Sequence, residues 1–104
     1  MSTIHDLWAI IESRRGDAPE TSWTAKILSQ GPAFAAKKFG EEAVEAVIEA
    51  TKGDKARLTS EAADVVYHLL AMLAASGVTL AEVEAELARR TGQSGIAEKA
   101  GRSG

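Results

Sequence analysis

The chain contains no cysteine. Disulfides and thiolate-held metals are therefore excluded, and nothing points to an oxidising compartment. Proline is scarce, with two in 104 residues, and aromatic residues make up only 5%. The apolar mass is Ala, Leu, Val and Ile, within a hydrophobic fraction of 45%, and that mix favours helix over sheet. No apolar run approaches the roughly 20 residues that span a bilayer, and the start, Met1-Ser2-Thr3-Ile4-His5-Asp6, lacks the basic and apolar segments of a secretory signal. A cytoplasmic protein with no membrane partner is expected. Positive charge is also in deficit: 12 Lys and Arg against 15 Asp and Glu give a net charge of −3. A broad nucleic-acid-binding surface is not expected on such a chain. An acidic protein still binds a polyphosphate where cations bridge the two.

The length predicts one domain, able to bury a modest core but with little area to spare for a deep enclosed site. A site at a subunit interface would relieve that shortage. Helical spacing and stop signals predict five helices, an all-α fold with no strand pattern. The first runs from about Thr3 to Arg15, stopped by Gly16. A short second helix is capped by Thr21 or Ser22. Gly31-Pro32 ends it and opens a third, from Pro32 to about Lys52. Gly40 weakens this helix midway or marks a close backbone approach. After Gly53 a fourth helix runs from about Asp54 to Ser76. Thr79-Leu80-Ala81-Glu82 reads as a capping box opening a fifth, to about Arg90. Residues 1–90 thus form the domain, and 91–104, glycine-rich and poor in apolar residues, form a tail.

The carboxylates of the third and fourth helices are placed beside the apolar stripes. At about 100° per residue, with Val44 at zero, Val47 and Ile48 complete an apolar stripe expected to be buried. Glu41 then lies at about 60°, Glu45 at about 100°, Lys38 at about 120°, Glu49 at about 140° and Glu42 at about 160°. On the fourth helix, with Val65 at zero, Leu58, Ala62, Val66, Leu69 and Leu73 fill the expected core arc. Glu61, His68 and Asp64 flank it at about −40°, −60° and −100°. Like charges on one arc repel, and a divalent cation reverses the sign of that interaction. Magnesium takes oxygen ligands, and carboxylates three apart are neighbours, so Glu42/Glu45 and Glu61/Asp64 can each flank an ion.

The plainer alternative is an acid-rich face that is simply solvated. Finding Glu61 and Asp64 against the core arc of the next helix weighs against it. His68 reads as a partly buried, hydrogen-bonded histidine rather than a ligand. Trp8 and Trp23 read as core or interface anchors. Spacing alone supports either a metal-dependent phosphate enzyme or an acidic binding surface.

Glu41-Glu42-x-x-Glu45 followed by Glu61-x-x-Asp64 resembles the signature of the MazG-like all-α nucleoside triphosphate pyrophosphohydrolases. Further stretches resemble one branch, the phosphoribosyl-ATP pyrophosphohydrolases of histidine biosynthesis. These are Ser22-Trp23-Thr24-Ala25-Lys26, Gly40 to Glu45, Glu61 to Leu70, and the tail Gly92-x-Ser94-Gly95-x-x-Glu98-Lys99-Ala100. Trp23 stands where the family usually has tyrosine. The resemblance implies hydrolysis of 1-(5-phosphoribosyl)-ATP to 1-(5-phosphoribosyl)-AMP and pyrophosphate, with Mg2+ as cofactor, and a helical bundle completed by homodimerisation. It implies Glu42, Glu45, Glu61 and Asp64 as metal ligands and leaves Glu41 a supporting or water-activating role. The wheel, by contrast, sets Glu41 nearer the apolar stripe than Glu42. Phosphate contacts are expected from Lys38, Lys99 and Arg102, with the tail closing over substrate. Association with phosphoribosyl-AMP cyclohydrolase is left open. Two competitors remain at this point: a house-cleaning pyrophosphatase of free or damaged nucleotides, and a helical dimerisation module with an acidic face.

Overall fold

The computed structural model describes residues 2–92. Five helices follow in order: α1 (Thr3–Ser13), α2 (Trp23–Gln30), α3 (Pro32–Lys52), α4 (Lys55–Ala75) and α5 (Leu80–Thr91). The fold is all-α, and among the described residues no single helix is long and apolar enough to cross a membrane.

Local chemistry fixes most of the boundaries. Ser22 caps α2, its hydroxyl accepting from the Ala25 N–H at 3.1 Å. Pro32 occupies the first turn of α3, where a missing N–H leaves no helical bond unmade. Gly53 stands at φ 76° and ψ 19°, the left-handed conformation that ends α3 without a Cβ clash. Asp54 then caps α4 by accepting from the Arg57 N–H at 3.0 Å. Thr79 and Glu82 form the reciprocal capping box that opens α5. The first helix ends two residues before the expected Arg15. Arg14 and Arg15 donate instead to the Ile11 and Glu12 carbonyls, three residues back, so the last turn tightens into a turn rather than continuing.

The packing centres on α4. One core cluster joins Ile11, Leu70, Ala74 and Leu80; the other joins Ile27, Ala35 and Ala71. Tyr67 packs against both. Helix α3 touches this core only through its first turns, at Phe34 and Ala35. The rest of α3 lies along α4 as a two-helix arm joined at Gly53-Asp54. The Cα radius of gyration, 16.1 Å, exceeds the ~13 Å of a compact chain this long, as a projecting arm requires.

That arm reverses one expectation. Val44, Val47 and Ile48, the expected buried stripe of α3, are 59%, 61% and 47% exposed. The face that α3 turns inward carries small residues and acids, and Glu49 there is only 8% exposed. On α4 the fully buried positions are His68, Leu70, Ala71 and Ala74; Ala62, placed in the expected core arc, is exposed, and Leu58, Val66, Leu69 and Leu73 are half-buried. The physical reason is that the first half of α4 has only α3 to pack on. An apolar stripe is a prediction of burial only if something covers it. Nor does Gly40 mark a close approach among the described residues: a Cβ built there would meet none of them within 4 Å.

Candidate metal centre

Helices α3 and α4 run side by side through the arm, and this brings the two acidic motifs together. Glu42 and Glu45 are three apart on one face of α3, and Glu61 faces them from the second turn of α4. One carboxylate oxygen from each of the three lies within 4.8 Å of the other two. Asp64, one turn beyond Glu61, is exposed and stands outside this trio, but its charge reaches both Glu42 and Glu61.

Crowding shows in the electrostatics. The Glu42 carboxyl is pushed up to about 7. A hydrogen bond with Glu45 is the largest cause, followed by burial and by the charges of Glu45, Asp64 and Glu61. A proton thus does between Glu42 and Glu45 what a cation would do better. Glu61 is also raised, first by burial and then by Glu45, Asp64 and Glu49, with Arg57 opposing. A donor set made only of carboxylate oxygens suits a hard cation such as magnesium. The residues therefore fit the ion.

The other expected site residues fall in different places. Glu41 lies outside the trio, half-exposed, its Oε1 3.5 Å from Lys38 Nζ. The Lys38 ammonium also stands 5.7 Å from the Trp23 ring centre and 5.4 Å from that of Phe34. Lys99, Arg102 and the tail motif beyond Gly92 lie outside the described residues. Sequence reasoning did not select Glu49. It is the most buried carboxylate of α3, its Oε1 has no hydrogen-bond partner, and its charge reaches Glu61. The signal that could have found it is spacing: it is four residues past Glu45 and seven past Glu42, on the same helix face.

Second-tier residues hold the arm to the core. The buried His68 donates through Nδ1 to the Asp64 carbonyl at 2.8 Å, as a hydrogen-bonded core histidine should. Its ring meets Tyr67 edge-on, 4.9 Å between centres. The Tyr67 hydroxyl in turn pairs with that of Thr24, tying α2 to α4. Trp23 packs edge-to-face on Phe34 at 6.1 Å yet stays 44% exposed, an anchor on a surface rather than in the core. The Ser22-to-Lys26 motif therefore acts as a brace: Ser22 caps, Thr24 ties and Ala25 fills.

The family model for phosphoribosyl-ATP pyrophosphohydrolase matches residues 4–91, from α1 to the end of α5. The chain belongs to the phosphoribosyl-ATP pyrophosphohydrolase family. Relatives agree along the whole length. It is 68% identical to a phosphoribosyl-ATP pyrophosphatase of Cereibacter sphaeroides over 102 residues, covering 98% of this chain and 99% of that one. A protein of the same name from Ruegeria pomeroyi is 65% identical, covering 98% and 97%, and one from Dinoroseobacter shibae is 66% identical, covering 98% and 100%. The acid trio of the α3–α4 arm lies within the residues that match the phosphoribosyl-ATP pyrophosphohydrolase family.

Proposed function

We propose that this chain hydrolyses 1-(5-phosphoribosyl)-ATP to 1-(5-phosphoribosyl)-AMP and pyrophosphate, the second step of histidine biosynthesis, at a magnesium site held by Glu42, Glu45, Glu61 and Asp64. The observation that carries it is the convergence of three carboxylates from two helices within 4.8 Å. Family membership names the substrate class. Magnesium held by these carboxylates would supply neutralisation of polyphosphate charge and would lower the pKa of the attacking water. The chain's own residues supply the rest. Water adds at phosphorus, the bond between the α and β phosphates breaks, and pyrophosphate leaves. Glu41, beside the trio but not part of it, accepts the water's proton, and Lys38 at 3.5 Å positions it. Lys38, with Lys99 and Arg102 of the 91–104 tail, binds phosphate oxygens. No side-chain nucleophile is needed, which agrees with a chain free of cysteine.

A second copy of the chain belongs to the same proposal. Val44, Val47 and Ile48 leave an apolar stripe on the outer side of the arm, and packing it against its twin would bury a face that the subunit does not. The cytoplasm is the compartment proposed for an enzyme of this kind.

The test is pyrophosphate release from phosphoribosyl-ATP, with magnesium and with excess EDTA, for the wild type and Glu61→Gln. Release that needs both the metal and Glu61 is the expected result. Cleavage of ordinary dNTPs with none of phosphoribosyl-ATP would move the chain to nucleotide house-cleaning. No release from any nucleotide would leave the acids as a binding surface.

A further inference from the structure

The Ser22-Trp23-Thr24-Ala25-Lys26 stretch keeps two residues that its bracing role does not use. Ser22 caps α2, Thr24 reaches Tyr67 and Ala25 is buried, but Trp23 is 44% exposed and Lys26 is exposed beside it. An indole left in water next to a phosphate site is a stacking platform for a base. Phe34 meets its ring edge-to-face at 6.1 Å and holds it in place. Two ammoniums stand on the same ring: Lys38 Nζ at 5.7 Å from its centre and Lys26 Nζ at 5.9 Å. Lys38 precedes Glu42 by one helical turn and shares its face of α3. Lys26 has no carboxylate partner among the described residues. The indole is thus one side chain away from the acid trio, and it carries a second ammonium that the polyphosphate does not use.

We propose that Trp23 and Lys26 form the subsite for the far end of the substrate: the indole stacks on the adenine, and the Lys26 ammonium pairs with the ribose 5-phosphate carried at N1. The assignment rests on the phosphoribosyl-ATP reading above and adds to it the residue that tells this substrate from ATP. Adenine substituted at N9 and N1 is a flat ring with a phosphate-bearing arm at each end. The triphosphate arm goes to the cation and Lys38. The ring then needs an apolar face, and the second arm needs an ammonium. Both lysines lie against the indole in the free chain. An exposed cation–π contact is weaker than a base stack or a charge-assisted bond to phosphate, so arriving substrate exchanges the first for the other two. Tryptophan, where the family usually has tyrosine, offers the larger face.

Turnover of phosphoribosyl-ATP, with calorimetric binding of phosphoribosyl-AMP and of AMP, tests this on the full chain with magnesium present. The wild type is compared with Lys26→Ala, Trp23→Ala, Trp23→Tyr and Arg14→Ala, the last removing an exposed cation of the α1 end. Lys26→Ala should raise KM for phosphoribosyl-ATP about tenfold with kcat little changed. It should weaken phosphoribosyl-AMP by the same factor and leave AMP, which lacks the second ribose phosphate, as in the wild type. Trp23→Ala should weaken both probes about tenfold, and Trp23→Tyr should recover most of that loss. Arg14→Ala should match the wild type. Lys26→Ala that changes neither probe, or weakens both equally, overturns the proposal, and so does an equal effect of Arg14→Ala, which would mark a general loss of positive charge. Unchanged probe binding by Trp23→Ala overturns it too, as does a wild type that binds neither probe. If Trp23→Ala does not fold by circular dichroism, Trp23→Leu replaces it, keeping apolar bulk without a ring face. Turnover that needs magnesium and Glu61 but ignores Lys26 and Trp23 overturns this subsite alone; no turnover of phosphoribosyl-ATP by the wild type overturns the reading beneath it as well.

Discussion

Glu42→Gln should make the metal-free protein more stable while destroying its activity. The Glu42 carboxyl is raised from 4.5 to about 7 by the Glu45 hydrogen bond, by burial and by three neighbouring charges. Between those two values the folded chain holds a proton that the unfolded chain has lost. Stability therefore falls as pH rises from about 4.5 through about 7, and the penalty is complete above that. The full shift would correspond to about 3 kcal/mol. Glu42 is half-buried rather than enclosed, and solvent screening reduces this to about 1 kcal/mol. Glutamine keeps the shape, donates to Glu45 as the protonated acid does, and removes the charge. In EDTA at about pH 8, thermal denaturation followed by circular dichroism should show Glu42→Gln melting roughly 4–8 °C above the wild type, at one fixed protein concentration. At about pH 4 the two should coincide, since both are then neutral at this position. A variant that melts lower at about pH 8, or that gains equally at both pH values, would show that Glu42 is there for structure and would refute the crowding argument.

The same proton links metal uptake to pH. Below about 7 the ion must displace it from Glu42, so magnesium affinity should rise with pH and level off above that value. Calorimetry in buffers of different ionisation enthalpy checks this: the heats should diverge near pH 6 and converge near pH 8, and identical heats near pH 6 would contradict it. Val47→Glu should split the proposed dimer. Val47 is 61% exposed in the single chain, so covering it contributes about 1–2 kcal/mol per copy, doubled by symmetry. Loss of that term weakens association by roughly a hundredfold, and the introduced charge weakens it further. Sedimentation velocity of both proteins decides it: a wild type that is already monomeric, or a variant that still pairs equally well, sinks the idea.

Much of this architecture is legible in the chain because its helix ends carry strong local signals. Pro32, Gly53, Ser22 and the Thr79–Glu82 box set their boundaries by bonds within a few residues, and no tertiary context competes with them. The acid trio is legible for the same reason. Spacing puts Glu42 and Glu45 on one face, and a short connection through Gly53-Asp54 returns α4, with Glu61, antiparallel beside them. The inward face of α3 is not legible. A helical wheel ranks faces by apolarity, and apolarity names Val44, Val47 and Ile48, which stand outside. Glu49 escapes for the converse reason: its spacing places it on the face of Glu42 and Glu45, but spacing alone does not tell a buried carboxylate from one in water.

Those two failures have one cause. On α3 the acid face of Glu42, Glu45 and Glu49 and the apolar face of Val44, Val47 and Ile48 are centred about 140° apart. Only one of them can face α4. A subunit built for its own stability would turn the valines inward and leave the acids in water. This one does the opposite, and both consequences are unfavourable for the isolated chain: repelling carboxylates are gathered between the helices, and an apolar stripe is left uncovered. Each has a remedy that the subunit alone does not provide, a cation for the first and a second copy for the second. Rotating α3 to bury the valines would remove both problems and the site with them. The outward apolar stripe is thus a geometric consequence of aiming the carboxylates inward, and dimerisation and metal binding should stabilise the arm from its two sides.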